Sequence, residues 1–259
     1  MKIGAQLFSV CDKCKTEEGI RNTFKAMRDI GYESVQLSGF KYDPDKIVEY
    51  KEEFNMHVGL THTDIPTLLD DVDTLIANHK KMGVEVIGLG YPGVYLSEDM
   101  KDVRLDDMIR DLEVPVKKIN DAGLRFAYHN HFWEFYDRGG YCDMDVLFEK
   151  TNWNFTLDSG WVHFAGADPI KTIEKFKDRL EFVHLKDYRE EMEKDEDCMK
   201  RLVPMYAGVT PMDDIIKKFQ EVGTVKAAYV EQDSAASLED SYGEMQKSYD
   251  ALKAHGWVK

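Results

Sequence analysis

Four short apolar runs in this chain each end in residues able to bind a metal ion. They are Arg125-Phe-Ala-Tyr-His129-Asn-His131, Asn154-Phe-Thr-Leu-Asp158, Glu181-Phe-Val-His184-Leu-Lys186-Asp187 and Ala227-Ala-Tyr-Val-Glu231. In each, β-forming residues run into a His, Asp or Glu where a strand should give way to a loop. Side chains alternate between faces along a strand, so His129 with His131, His184 with Lys186, and Tyr229 with Glu231 share faces. The expected metal ligands are His129, Asp158, His184 and Glu231. Two imidazoles and two carboxylates form a mixed N/O set that suits Mn²⁺, Co²⁺, Fe²⁺ or Zn²⁺ better than Ca²⁺.

Four strand ends can meet at one ion only if the fold converges them, as the C-terminal face of a (β/α)₈ barrel does. The rest of the pattern agrees. Strands are expected at Lys2 to Phe8, Ser34–Leu37, Met56 to His62, Val84 to Gly90, Leu124–Asn130, Asn154–Asp158, Glu181 to Lys186 and Lys226 to Glu231. Between them lie helical signatures: Ile20, Phe24 and Met27 at helical spacing, Asp43-Pro44 and Asp168-Pro169 as helix starts, and Met212, Ile215, Ile216 and Phe219 as an apolar stripe. Leu68, Leu69, Val72, Leu75 and Ile76 predict one amphipathic helix ending before Gly83. Helices are also read at Met108 to Ala122, Asp143–Lys150 and around Tyr242, Met245, Tyr249 and Leu252. Eight such units with short connections predict an α/β protein, a single (β/α)₈ TIM barrel forming one domain over residues 1–259. The rival, a doubly wound open sheet, is weakened by the lack of a G-x-G-x-x-G turn after the first strand.

A length of 259 residues and 43% hydrophobic content suit one large core. The formal net charge of −15 stands against nucleic acid and anionic membranes as partners. The Glu190–Asp197 run reads as a solvated face, and the longer segment Tyr188–Thr210 as a wall of the pocket. With strand one starting at the initiator Met and no apolar run of membrane length, a cytoplasmic, soluble protein is expected. Cys11, Cys14, Cys142 and Cys198 are too few and scattered for a disulfide framework, and Cys11-Asp-Lys-Cys14 reads as a pair of loop cysteines. His57, His79, His163 and His255 read as structural histidines.

The chain resembles the xylose-isomerase-like TIM-barrel superfamily, in its sugar phosphate isomerase/epimerase branch. The resemblance rests on Gly4-Ala-Gln-Leu-Phe-Ser9, Tyr128-His-Asn-His131 with Glu134-Phe135, Leu157-Asp-Ser-Gly-Trp161, Ala165-Gly-Ala-Asp-Pro169, His184-Leu-Lys-Asp187 and Val230-Glu-Gln-Asp233, and covers nearly the whole chain. It implies one divalent ion, Mn first and Co, Fe, Zn or Mg as alternatives, held by Asp158, His184, Glu231 and a fifth-strand residue. That last position commonly carries Glu; here it is His129, and Glu134 is the other residue that could complete the site. It further implies proton abstraction next to a carbonyl through a metal-stabilised enediolate, with Glu231 or His131 as base and Lys186 at the oxyanion. Gln6, His62, Tyr91, Trp133, Glu134, Trp161 and Asp187 are the expected substrate-binding groups. Lys13, Lys15 and Lys186 are the nearest basic residues for a phosphate.

The leading reading is therefore a divalent-metal-dependent isomerase or epimerase of a small sugar, keto-sugar or inositol derivative, with homo-oligomerisation left open. The His-Asn-His departure admits a lyase or dehydratase acting on a 3-keto-glycoside, or a non-catalytic sugar-binding barrel. A DNA-repair endonuclease also belongs to the superfamily, but the acidic charge and few candidate ligands stand against it.

Overall fold

The structure is a computed structural model that describes residues 1–97, 99, 102–190 and 197–259. Most of the acidic run Glu190–Asp197, and with it the centre of the segment Tyr188–Thr210, lies outside the described residues. Eight parallel strands close a barrel in the order β1 (Lys2–Gln6), β2 (Ser34–Leu37), β3 (His57–Thr63), β4 (Val86–Leu89), β5 (Arg125–His129), β6 (Asn154–Asp158), β7 (Leu180–Leu185) and β10 (Ala227–Val230), which pairs back with β1. Asp187–Tyr188 (β8) and Leu202–Val203 (β9) form a small antiparallel ribbon at the rim.

The helices follow the apolar stripes. In α1 (Glu17–Ile30), Ile20, Phe24 and Met27 are buried, and Thr16 caps the first turn by accepting from Gly19 N–H. Asp43 and Asp168 cap α2 (Pro44–Glu53) and α8 (Pro169–Phe176), each with proline at the first helical position. The helix expected across Leu68 to Ile76 is instead two: α3 (Ile65–Asp70) and α4 (Val72–Met82). Asp71, at φ −142° and ψ 34°, breaks the ladder, and Leu69 turns outward at 43% exposure. The remaining helices are α5 (Leu105–Asp121), α6 (Asp143–Lys150), α7 (Ser159–Phe164), α9 (Met212–Val222) and α10 (Ser241–Ala254).

Two features were not expected. Strand one stops at Gln6 rather than Phe8, because the Gln6 side-chain oxygen accepts from Phe8 N–H at 2.6 Å and turns the chain into a 3₁₀ segment holding Cys11. Helix α7 follows β6 directly, its first turn capped by Asp158. Inside the barrel, Leu60, Val86, Ala127, Phe182, Ala227 and Tyr229 form a closed apolar plug. One layer above it, the inward positions of β3, β5, β7 and β10 become polar, while β4 carries Gly88.

Candidate active site

The polar layer follows from strand parity. Two residues above Ala127, Phe182 and Tyr229 come His129, His184 and Glu231, with Lys186 two further along; Asp158 ends β6. One ligand atom from each of His129, Asp158, His184 and Glu231 lies within 4.8 Å of the others, and all four residues are buried. His62, at the top of β3, makes a second grouping with His129 and His184. Its ring fits because Gly88 in β4 and Gly90 just after it lie there; a Cβ on either would stand 2.7 Å from the imidazole.

The two imidazoles of the four-residue cluster are each held in one tautomer. His184 Nε2–H donates to Gln36 Oε1 at 2.7 Å, and His129 Nδ1–H donates to the Thr156 carbonyl at 3.2 Å. These contacts leave His184 Nδ1 and His129 Nε2 with free lone pairs, as metal-binding histidines require. Gln6 Nε2 fixes Glu231 through Oε1 at 2.7 Å, and Trp161 N–H fixes Asp158 through Oδ1 at 2.9 Å. The other oxygens, Asp158 Oδ2 and Glu231 Oε2, face His184 Nδ1 at 3.8 and 2.8 Å. All three atoms are buried without a well-angled hydrogen bond. A buried donor set left unsatisfied in this way fits a divalent cation.

Lys186 lies behind these oxygens. Its Nζ is 2.9 Å from Asp158 Oδ2, 3.0 Å from Glu231 Oε2 and 2.7 Å from Asp233 Oδ2, and 4.5 Å over the Trp161 ring. These are ion-pair distances without hydrogen-bond angles. Burial opposes the Lys186 charge, but Asp158, Asp233 and Glu231 outweigh it and hold the pKa far above the usual range. Burial likewise pushes Glu231 up, and the Lys186 charge overrides it, leaving the carboxyl well below its usual range. Burial and the Glu231 charge push Asp233 up to about 6. Burial keeps His62 and His129 far below neutrality, and burial with Lys186 brings His131 down to about 3, so these rings stay neutral.

A cavity of about 1340 Å³ opens over this layer. Gln6, His62, Tyr91, His129, His131 and Glu231 line it, together with Asp233, to which the sequence reading gave no role. Asp233 follows the strand end, so parity could not orient it; the Val230-Glu-Gln-Asp233 motif was the available signal. Gln36, in contrast, carried no motif, and only the barrel's closure brings it to His184.

Four expected substrate-binding residues do not line the cavity. Glu134 is fully buried beside β5, where Tyr128 O–H donates to it at 2.6 Å and His131 N–H at 2.8 Å. Tyr128 alternates with the inward Ala127 and His129, so that carboxyl is on the outer side, and His129 is the β5 residue in the cluster. Asp187 alternates with inward Lys186 and instead accepts from Gly208 N–H at 2.9 Å and Thr210 N–H at 3.0 Å, anchoring the rim ribbon. Trp133 stacks on His131 with ring centroids 4.3 Å apart, and Trp161 supports Lys186; both are buried behind the wall. Lys13 pairs with Asp12, and neither Lys13 nor Lys15 reaches the cavity. The Cys14 thiol is buried, donates to Thr23 Oγ1 at 3.4 Å, and is pushed up to about 12 by burial, which makes it an unreactive packing group. His79 is a structural histidine, bonded to Thr61 and to the Leu75 carbonyl.

A closed eight-stranded barrel with its polar cluster at the strand ends defines the class. The chain belongs to the xylose isomerase-like TIM barrel family, whose model matches residues 24–254. Over 96 residues it is 25% identical to inosose dehydratase of Geobacillus kaustophilus (strain HTA426), covering 36% of this chain and 30% of that protein. It thus spans about a third of the length of the curated relatives it matches. A sugar phosphate isomerase/epimerase from Parabacteroides distasonis ATCC 8503 has the same fold, with a TM-score of 0.77 at 18% identity over 100% of this chain and 96% of that one. So does the IOLI protein with a binding zinc atom, with a TM-score of 0.71 at 12% identity over 100% and 99% of the two chains. Among the described residues no helix is long and apolar enough to cross a membrane.

Proposed function

We propose that this protein is a metal-dependent isomerase or epimerase of a small carbohydrate, acting by proton abstraction next to a carbonyl. The observation that carries the reading is the convergence of Asp158 Oδ2, His184 Nδ1 and Glu231 Oε2, all buried and without hydrogen bonds, with His129 alongside. These four side chains would hold the ion, with manganese the first expectation and zinc supported by the bound atom in the IOLI protein. The ion would supply Lewis-acid polarisation of the substrate carbonyl and offset the negative charge that develops on its oxygen.

The chain's own groups do the rest. Glu231 receives the α-proton, its orientation fixed by the Gln6 amide. Lys186, held cationic among three carboxylates, places a positive charge beside the reacting oxygens. His131 is braced against Trp133 at the cavity wall and His62 is seated over β4, where both can bind substrate hydroxyls as neutral imidazoles. Returning the proton to the opposite face or the adjacent carbon gives an epimer or an isomer.

A second reading, elimination, is favoured by the β5 position. An epimerase that works with two flanking carboxylates needs one there, and His129 is an imidazole. The same first step, loss of the α-proton, would then be followed by breakage of the β C–O bond, the oxygen leaving with the electron pair and taking up a proton. The inosose dehydratase similarity points the same way.

The deciding experiment compares the metal content of wild-type protein and Asp158→Ala, then follows solvent-deuterium incorporation into a panel of keto-sugars. About one Mn, Co, Fe or Zn ion per chain, lost in the variant and required for exchange, is expected. Product stereochemistry against loss of a leaving group separates epimerase from lyase. No stoichiometric metal after reconstitution would overturn both readings in favour of a sugar-binding barrel.

A further inference from the structure

The cavity has two unlike compartments. Its floor is the polar layer just described. Over the ends of β1 to β4, the wall carries Phe8, Phe40, Tyr42, Ile65, Tyr91 and Val94. Phe40 and Tyr42 meet edge to face at 6.1 Å, and Phe8 lies so close to Gly39 that a Cβ there would stand 2.6 Å from its ring. Tyr91 and Val94 are 47% and 70% exposed. Apolar side chains exposed together at the mouth of a cleft mark a contact surface, because leaving them in water is unfavourable.

Size and charge narrow what that surface contacts. At about 1340 Å³ the cavity exceeds the ~300–1,000 Å³ of ordinary ligand pockets. A monosaccharide bound at the floor would leave Tyr91 and Val94, the exposed part of the wall, in water. Among the described lining residues the only Lys or Arg is Lys41, set on the wall against Asp64 and Asp71. Such a wall disfavours a phosphate. Flat aromatic faces beside few cations suit an uncharged ring.

We infer that the substrate class is a sugar carrying an uncharged aromatic substituent. The sugar occupies the His and carboxylate floor, and the substituent lies along the wall formed by Phe8, Phe40, Tyr42, Ile65, Tyr91 and Val94. This rests on the carbohydrate reading proposed above and deepens it, since it places free and phosphorylated sugars outside the preferred class.

The test is calorimetric titration of metal-loaded protein with phenyl β-glucoside, glucose and glucose 6-phosphate, on wild type, Val94→Asp and Phe40→Ala. Phenyl glucoside is expected to bind at least about tenfold more tightly than glucose, the scale that burying one ring supports. Glucose 6-phosphate should gain nothing over glucose. Val94→Asp lies at an exposed position and should cut the phenyl-to-glucose affinity ratio about fivefold; Phe40→Ala, checked for folding by its thermal melt, should do the same. Equal affinities in the wild type, or tightest binding of the phosphate, would overturn the inference. So would a Val94→Asp variant that keeps the ratio but changes the oligomeric state in light scattering, since a second copy would then cover the wall. Deuterium exchange into the keto-sugar panel, measured on the same protein preparations, separates the two claims. A phenyl preference without exchange on any sugar sinks the catalytic reading alone, and exchange without the preference sinks the substituent subsite alone.

Discussion

At the scale of single residues, the site depends on groups that never touch the proposed ion. Gln36 is one: its carbonyl oxygen holds the Nε2–H tautomer of His184 and so keeps Nδ1 free. Gln36→Leu removes that acceptor inside a buried layer. Divalent-metal affinity should fall by roughly 10- to 100-fold, the usual effect of losing such a partner, with folding retained. Chelator competition would measure it, and an unchanged affinity would show that His184 is oriented by something else. Lys186 is the counterpart on the charged side. Lys186→Met leaves Asp158, Glu231 and Asp233 facing one another without a cation. In metal-free protein this should cost about 3 kcal/mol of stability, as breaking a buried ion cluster does, and added Mn²⁺ or Zn²⁺ should recover most of it. Urea unfolding with and without metal reads both effects. The four candidate ligands themselves were legible because each ends an apolar run. Asp233 and Gln36 were not, since one lies past its strand and the other is an ordinary polar residue until the barrel brings β2 opposite β7.

At the scale of elements, the loops after β5 and β6 are fixed by groups with no exposure to the cavity. Burial pushes the Glu134 carboxyl up to about 7 from an ordinary 4.5, despite the hydrogen bonds it accepts. Below about pH 4.5 both folded and unfolded chains hold this proton and the contribution to stability is complete. As pH rises the unfolded chain releases its proton first, so stability falls until the folded carboxyl ionises near 7. The loss amounts to about 3 kcal/mol at the usual conversion of pKa shift to free energy. Glu134→Gln should remove that slope, seen as a flatter difference in unfolding free energy between pH 5 and pH 8. A slope identical to the wild type would show that Glu134 is ionised throughout. Helix α7 docks through Gly160, where a Cβ would stand 2.3 Å from the Lys186 carbonyl oxygen. Gly160→Ala must push α7 away from the end of β7. A destabilisation of about 1–3 kcal/mol is expected from such overpacking, measurable as a lower melting temperature. The sequence missed α7 because six residues are too few to show a period, and it joined α3 to α4 because their apolar residues continue in phase across Asp71.

At the scale of the whole molecule, a dry plug carries a wet floor. Leu60, Val86, Ala127, Phe182, Ala227 and Tyr229 fill the barrel, and the candidate metal cluster stands one layer above them, on β5, β7 and β10 with Asp158 added from β6. Phe182→Ala should therefore lower stability by about 3–5 kcal/mol, the range for emptying a buried phenyl site, while metal stoichiometry stays as in the wild type. Denaturant midpoints and metal analysis on one preparation test this; loss of metal together with stability would mean that plug and floor are not separable layers. The eightfold alternation, the barrel class and the four polar residues at the strand ends were legible in the sequence itself, because period-two strands, capped helices and abrupt polar endings are local patterns. Closure decided the rest. It placed β10 beside β1, so that Gln6 meets Glu231, and it turned Glu134, Asp187 and the two tryptophans away from the cavity. It also gathered an aromatic wall from segments after β1 to β4 that share no motif. Those outcomes depend on which strands become neighbours and on where a chain points after its strand ends. No local periodicity encodes either.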